Sequence, residues 1–167
     1  MANSSLEPHP DPHHEEGSVE LPDGRRLGWA AFGDPDGDAV LWFHGTPGGR
    51  YQVPVGCNPA GRANGLRLIT IERPGTGRSS NHHHRSVRHF AGDVEAAVDR
   101  LGIGRFAVAG LSGGGPYTLA VAHELNDRVV TSALLGGLAP SVGPSAVFSY
   151  AQLTSVAQSL LTPLRRV

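Results

Sequence analysis

The chain has 167 residues, a formal net charge of -1 with histidines neutral, 39% hydrophobic and 17% charged residues, a composition that suits one globular domain with a sizeable core. So even a charge balance, with no basic stripe interleaved with aromatics, argues against a nucleic-acid partner, and no apolar run reaches the length of a membrane span. A single cysteine, Cys57, excludes a disulfide within these residues, and without a basic and apolar N-terminal signal the expected location is cytoplasmic.

Residues 1–17, MANSSLEPHPDPHHEEG, are polar and proline-rich, with too little apolar surface to offset the entropy of ordering, and read as a disordered tail. Nothing in the spacing of His9, His13 and His14 fixes them around an ion, so neither a metal nor a cofactor is expected. Residues 18–21 and 25–32 flank Pro22-Asp23-Gly24, whose proline and glycine stand where a turn wants them, predicting an antiparallel hairpin. Residues 39–43, AVLWF, form the continuous apolar run of a central parallel strand and end in His44-Gly45-Thr46-Pro47-Gly48-Gly49. A short helix ending near Asn64 precedes a strand over 66–71, LRLITI, and then the loop ERPGTGRSS. Ser86 stands at the N-cap of a helix in which Val87, Phe90, Ala91, Val94, Ala97, Val98 and Leu101 repeat at three-and-four spacing, and Gly102 ends it.

The rest of the chain is organised around residues 106–122, FAVAGLSGGGPYTLAVA, which read as strand, sharp turn and helix with Ser112 at the bend. Gly110, Ser112 and Gly114 fit the GxSxG pattern, in which a tight strand-to-helix turn lifts a hydroxyl above a sheet and leaves no room for side chains on either flank. In a chain with 23 glycines the pattern alone is weak, and a glycine-rich turn that merely packs a helix on a strand is the alternative. A phosphate loop is disfavoured, because no GKS or GKT follows. Pro116 suits a first helical turn, and the nearly continuous apolar run over 117–125 predicts a buried helix. Residues 129–135 supply one more apolar strand. After the hairpin, strands and helices alternate, which predicts a doubly wound, mostly parallel α/β sheet. Residues 145–161 read as an uncharged helix with a broad apolar face, the start of a cap or lid segment within 141–167.

With HGTPGG after one strand and GLSGGG after its expected neighbour, the stretch 18–140 resembles the α/β-hydrolase superfamily. HGTPGG is similar to the HGxPG loop of proline iminopeptidases, epoxide hydrolases and related capped hydrolases, while a serine rather than an aspartate at the bend argues against the epoxide hydrolases and dehalogenases. The resemblance implies Ser112 as nucleophile, the backbone N–H groups of Gly113 and Thr46 as an oxyanion hole, and a small ester, amide or related acyl substrate. It makes Gly45, Pro47, Gly48, Gly110 and Gly114 shapers of the two turns and His44 a structural residue beneath the site. Glu72 is expected to brace its own loop through Arg73 or Arg78. His82, His83 and His84 are expected in a solvated loop, His89 on a helix surface and His123 within the helix after Ser112, none of them a base for the serine.

The superfamily presents serine, acid and histidine in that order, yet beyond Arg128 this chain has no Asp, Glu or His, and the strands that would carry them are lacking. A serine without a base stays protonated and is a poor nucleophile. Two functions follow from this. One is the N-terminal part of a serine hydrolase, with the remainder supplied by a longer polypeptide or by a second, complementing C-terminal fragment. The other is a catalytically inactive truncated hydrolase acting as a binding or interaction module. Either way, 129–135 is expected to be an exposed sheet edge prone to self-association.

Overall fold

The computed structural model describes residues 15–139. Gly24 takes φ 81° in the turn that joins strand β1 (Glu15–Glu20) to β2 (Arg26–Gly33), and the two pair antiparallel with Glu20 opposite Arg26. The first strand thus begins at Glu15, ahead of the expected start at Ser18, and residues 15–17 of the expected tail belong to the sheet. Polar composition hid this because the strand is held by charge: Glu15 pairs with Arg67 at 3.1 Å and Glu16 with Arg50 at 2.9 Å. Residues 1–14, with His9, His13 and His14, and the expected helix over 145–161 lie outside the described residues.

Strand β3 (Asp38–Phe43) leads through helix α1 (Cys57–Asn64) to β4 (Leu66–Ile71), and helix α2 (Phe90–Arg100) leads on to β5 (Phe106–Leu111). Helix α3 (Gly115–Glu124) then connects to β6 (Val129–Leu135). The six strands lie in the order β1-β2-β4-β3-β5-β6. From β4 onward all neighbours are parallel, and β2 meets β4 antiparallel. The crossover from β3 to β4 runs one way across the sheet, and that from β4 to β5 returns past β3. Helix α1 lies against β2 and β4, whereas α2 packs with α3, so the sheet is wound on both faces.

Strand alternation sorts the core. Leu27, Trp29 and Ala31 of β2, Leu41 and Phe43 of β3, and Ile69 and Ile71 of β4 face α2 and α3. There they meet Phe90, Val94, Val98 and Val121. Phe43, Phe90 and Tyr117 stack edge to face, with centroids 6.1 and 5.3 Å apart. Burying each phenylalanine is worth roughly 2–3 kcal/mol against leaving it exposed. Ala30 and Phe32 point the other way, to Cys57 of α1, and on that side the Trp42 indole donates to the Gln52 carbonyl at 2.7 Å.

Helix ends follow local chemistry. Gly65 ends α1 at φ 61° and Gly102 follows α2 at φ 69°, both left-handed positions that favour glycine. Ser86 departs from its expected role: it precedes a single 3-10 turn, Val87–His89, and its hydroxyl pairs with His89 Nδ1 at 3.0 Å rather than with a backbone N–H. Helix α3 is not buried all round either. Thr118, Ala120 and Val121 face inward, but Leu119 is 52% exposed, since a helix laid on one sheet face can cover only one side of itself.

Candidate active site

The connections that leave β3 and β5 diverge to opposite faces, toward α1 and α3, so a crevice opens at the carboxyl ends of those strands, where ligands of wound α/β sheets bind. Both motifs sit there. Ser112 follows β5 with φ 48°, the one non-glycine residue at positive φ among the described residues. Holding it there costs about 1–3 kcal/mol, which the surrounding turn must overcome. The flanking glycines show how. A Cβ on Gly110 would overlap the Thr118 hydroxyl, and one on Gly114 would overlap the Phe43 carbonyl oxygen at the end of β3. Their absence lets α3 start directly over the sheet, with Pro116 in its first turn.

The loop after β3 reaches the same place. Where a Cβ of Gly113 would stand, the Thr46 nitrogen is 3.3 Å away, and a Cβ on Gly45 would lie 3.6 Å from Ser112 Cβ. Gly48 is closely covered too, with His44 Nδ1 2.9 Å from its would-be Cβ, and the Thr46–Pro47 peptide is cis. Thr46 is exposed and Ser112 half-buried, so a ligand can reach both.

His44 is wholly buried, and both its ring nitrogens are engaged by backbone. Nδ1 lies 2.9 Å from the Gly45 carbonyl and so donates, leaving Nε2 to accept the Arg73 N–H at 3.4 Å. Burial pushes its pKa below the usual imidazole value, which keeps the ring neutral. The Arg73 guanidinium donates to the carbonyls of His44 at 2.6 Å and Gly45 at 2.7 Å and to the Thr46 hydroxyl at 3.0 Å. The Gly45 carbonyl and the Thr46 N–H belong to one trans peptide and point in opposite directions. Arg73 and His44, by holding the oxygen, therefore fix the direction of the N–H. Gln52 steadies the neighbouring peptide, its Oε1 accepting from Gly45 N–H at 2.5 Å.

Glu72 braces its own loop through Arg78, as expected, and ties it to Arg50 as well. Buried after β4, it accepts from Arg50 Nη1 at 2.9 Å and from the backbone N–H of Arg78 at 2.7 Å, while the Arg73 side chain turns away to the loop. Arg50 and Arg78 also pair with Glu16, as does the Tyr51 hydroxyl. That hydroxyl first, and Arg50 next, bring the Glu16 carboxyl down to about 2.

His84 departs from expectation, for it is not solvated. Its Nε2 lies 3.0 Å from the buried Asp93, which also holds Arg25 bidentately at 2.7 and 2.6 Å, and its ring meets the edge of Phe90. His82, His83 and His89 are exposed as expected, and His123, within α3, is exposed too. Sequence reading missed Gln52, Arg73 as a loop clamp, Tyr117 and Asp93. Only Asp93 had a signal: it stands on the apolar spacing of α2 between Phe90 and Ala97. A cavity of about 610 Å³ opens beside the loop, lined by Thr46, Arg73, Pro74, His82, His83 and Tyr117 among others. Among the described residues no cluster of His, Cys, Asp or Glu could hold a metal ion, and no helix is long and apolar enough to cross a membrane.

A doubly wound sheet with a strained serine at a strand-to-helix turn, faced by a glycine-proline loop from the adjacent strand, defines an α/β-hydrolase-type domain. The chain belongs to the alpha/beta hydrolase fold family, whose sequence model matches residues 38–160. It is 30% identical over 132 residues to the proline iminopeptidase of Neisseria gonorrhoeae, covering 75% of this chain and 40% of that protein. A probable proline iminopeptidase of Streptomyces coelicolor is 29% identical over 145 residues, covering 81% of this chain and 43% of that one. The chain thus spans about 40% of the length of these relatives. Among solved structures, an alpha/beta hydrolase fold protein from Chitinophaga pinensis superposes with a TM-score of 0.67 at 24% identity, over 80% of this chain and 47% of that one. An epoxide hydrolase from Vigna radiata does so at 0.65 and 19% identity, over 87% and 46%. At these identities the likeness is one of fold.

Proposed function

We propose that the chain carries the nucleophile half of a serine hydrolase acting on a small ester, amide or related acyl substrate. Ser112 is the nucleophile, and the N–H groups of Gly113 and Thr46 receive the oxyanion. The observation that carries this reading is the strained Ser112 with Thr46 of the neighbouring loop brought up against Gly113. Attack on an acyl carbon places negative charge on its oxygen, and each fixed backbone donor at that oxygen is worth about 10² to 10³ in rate. The positive end of α3 adds to the same field. This reading needs a general base and an acid that residues 129–167 do not supply, since they hold no Asp, Glu or His.

That same lack favours a second reading, a hydrolase-fold module that binds without turning over. Phenylboronic acid separates the two, since a serine oxygen in a formed oxyanion hole adds to boron, gives up its proton to the buffer and leaves a tetrahedral anion. On the first reading the amide signals of Gly113 and Thr46 shift together on titration, and Ser112→Ala abolishes the response. Shifts that persist unchanged in Ser112→Ala, or that miss Thr46, would return the turn to a merely structural role.

A further inference from the structure

We propose that the cavity beside the loop binds the carboxylate of an anionic acyl substrate, with Arg73 as its counter-charge. As an assignment of substrate class, this rests on the serine-hydrolase reading. As a binding site, it stands on the cavity itself. The volume of about 610 Å³ lies within the range of small-molecule sites. Among the described residues its wall carries no carboxylate, whereas Arg73, His82, His83, Thr76 and Tyr117, all residues with donor groups, line it. Arg73 is the permanent cation of that wall and has no ion-pair partner among the described residues. Its contacts to His44, Gly45 and Thr46 leave Nε–H and one Nη1–H uncommitted. Burial pulls its pKa down, so an arriving anion gains a poorly solvated counter-charge.

The charge count selects the ligand class. His84 also lines the cavity, but burial lowers its pKa and its Nε2 is committed to Asp93, so it adds no positive charge near neutrality. One fixed cation matches a monoanion, a carboxylate, better than a phosphate dianion. Pro47, Pro74, Val87 and the Tyr117 ring, which lies under the Arg73 guanidinium with its centroid 5.1 Å away, supply apolar surface for the body of such a ligand. Thr46 belongs to this wall and also approaches Gly113, so a substrate anchored here by its carboxylate would present its acyl group toward Ser112.

Titrating the isotopically labelled full chain with benzoate, benzyl alcohol and phenyl phosphate tests the inference. Benzoate should give saturable shifts at Arg73, His82 and Tyr117 and bind at least tenfold more tightly than benzyl alcohol. Arg73→Met should bring benzoate to the level of the alcohol, with Arg73→Lys in between. Equal affinities for the acid and the alcohol in the unaltered protein, or shifts confined to another part of the molecule, would overturn it whether or not the variants fold. Phenyl phosphate binding tenfold more tightly than benzoate would overturn the carboxylate assignment in favour of phosphate. The readout does not pass through Ser112: anion binding without a boronate adduct sinks the hydrolase reading and with it the acyl substrate class while the anion site stands, and an adduct without anion binding sinks only this one.

Discussion

Gly114 lies so close to the Phe43 carbonyl that a methyl group there must displace either α3 or the end of β3. Gly114→Ala should therefore cost about 2–3 kcal/mol, the scale of overpacking a tight contact. Gly92, exposed in α2 with nothing near its would-be Cβ, provides the contrast. Gly92→Ala should gain about 0.5–1 kcal/mol by relieving glycine's entropy cost in a helix. Urea denaturation of both variants decides, and a neutral Gly114→Ala would mean that the turn is looser than its contacts imply. Titration adds a second expectation. His44 and His84 have pKa values lowered by burial, so below their ordinary 6.5 the unfolded chain binds more protons than the native one, and stability falls as pH drops from there. Glu16 acts later: with its pKa at about 2 instead of 4.5, its contribution is present above 4.5 and lost as pH falls toward 2. Because Glu16 is partly exposed, that loss should be roughly 1 kcal/mol. Denaturation midpoints measured from pH 8 to pH 3 should decline in both windows, and Glu16→Gln should flatten only the lower one.

At the level of elements, β6 stands out. It pairs only with β5 among the described residues, and Val130, Leu134 and Leu135 are 53%, 47% and 42% exposed. A strand with one unpaired side and apolar side chains in water is a template for another strand. We expect the purified chain to associate as its concentration rises, and Val130→Lys to shift the equilibrium toward monomer through charge repulsion across the edge. Light scattering with hydrogen exchange is the measurement. A monomer at all concentrations, with strongly protected β6 amides, would mean that the edge is already covered.

For the molecule as a whole, the proposed reading gives this chain a nucleophile and oxyanion donors but no base. Oxyanion donors act without a base, so on the proposed reading the chain by itself should accelerate p-nitrophenyl acetate hydrolysis only weakly, by roughly 10³ over water at most. Ser112→Ala should remove what there is. Turnover at ordinary enzymatic rates, lost in Ser112→Ala, would instead show that a histidine of this chain reaches the serine. Among the described residues the structure gives no such contact, and there His44 is engaged by backbone and His84 by Asp93.

What the sequence determined by itself was the placing of strands and of the tight turn at Ser112, which depend on near neighbours in the chain. Strands 66–71 and 129–135 were legible to the residue because a mostly apolar run rich in β-branched residues, six or seven long and bounded by polar or glycine stops, has the length of a strand and not of a helix. The wound α/β class followed from their alternation with helical spacing, and the bend at Ser112 from glycines that a tight turn requires. Tertiary structure alone decided the rest. Arg73 clamps residues 28 and 29 positions before it, Arg25 meets Asp93 across 68 positions, and Glu15 finds Arg67 across 52. A charged side chain in a sequence names no partner, because its interaction falls with distance in space and not along the chain. So the direction of Arg73, the burial of His84 and the start of β1 at Glu15 emerged only once the sheet had brought those distant segments together.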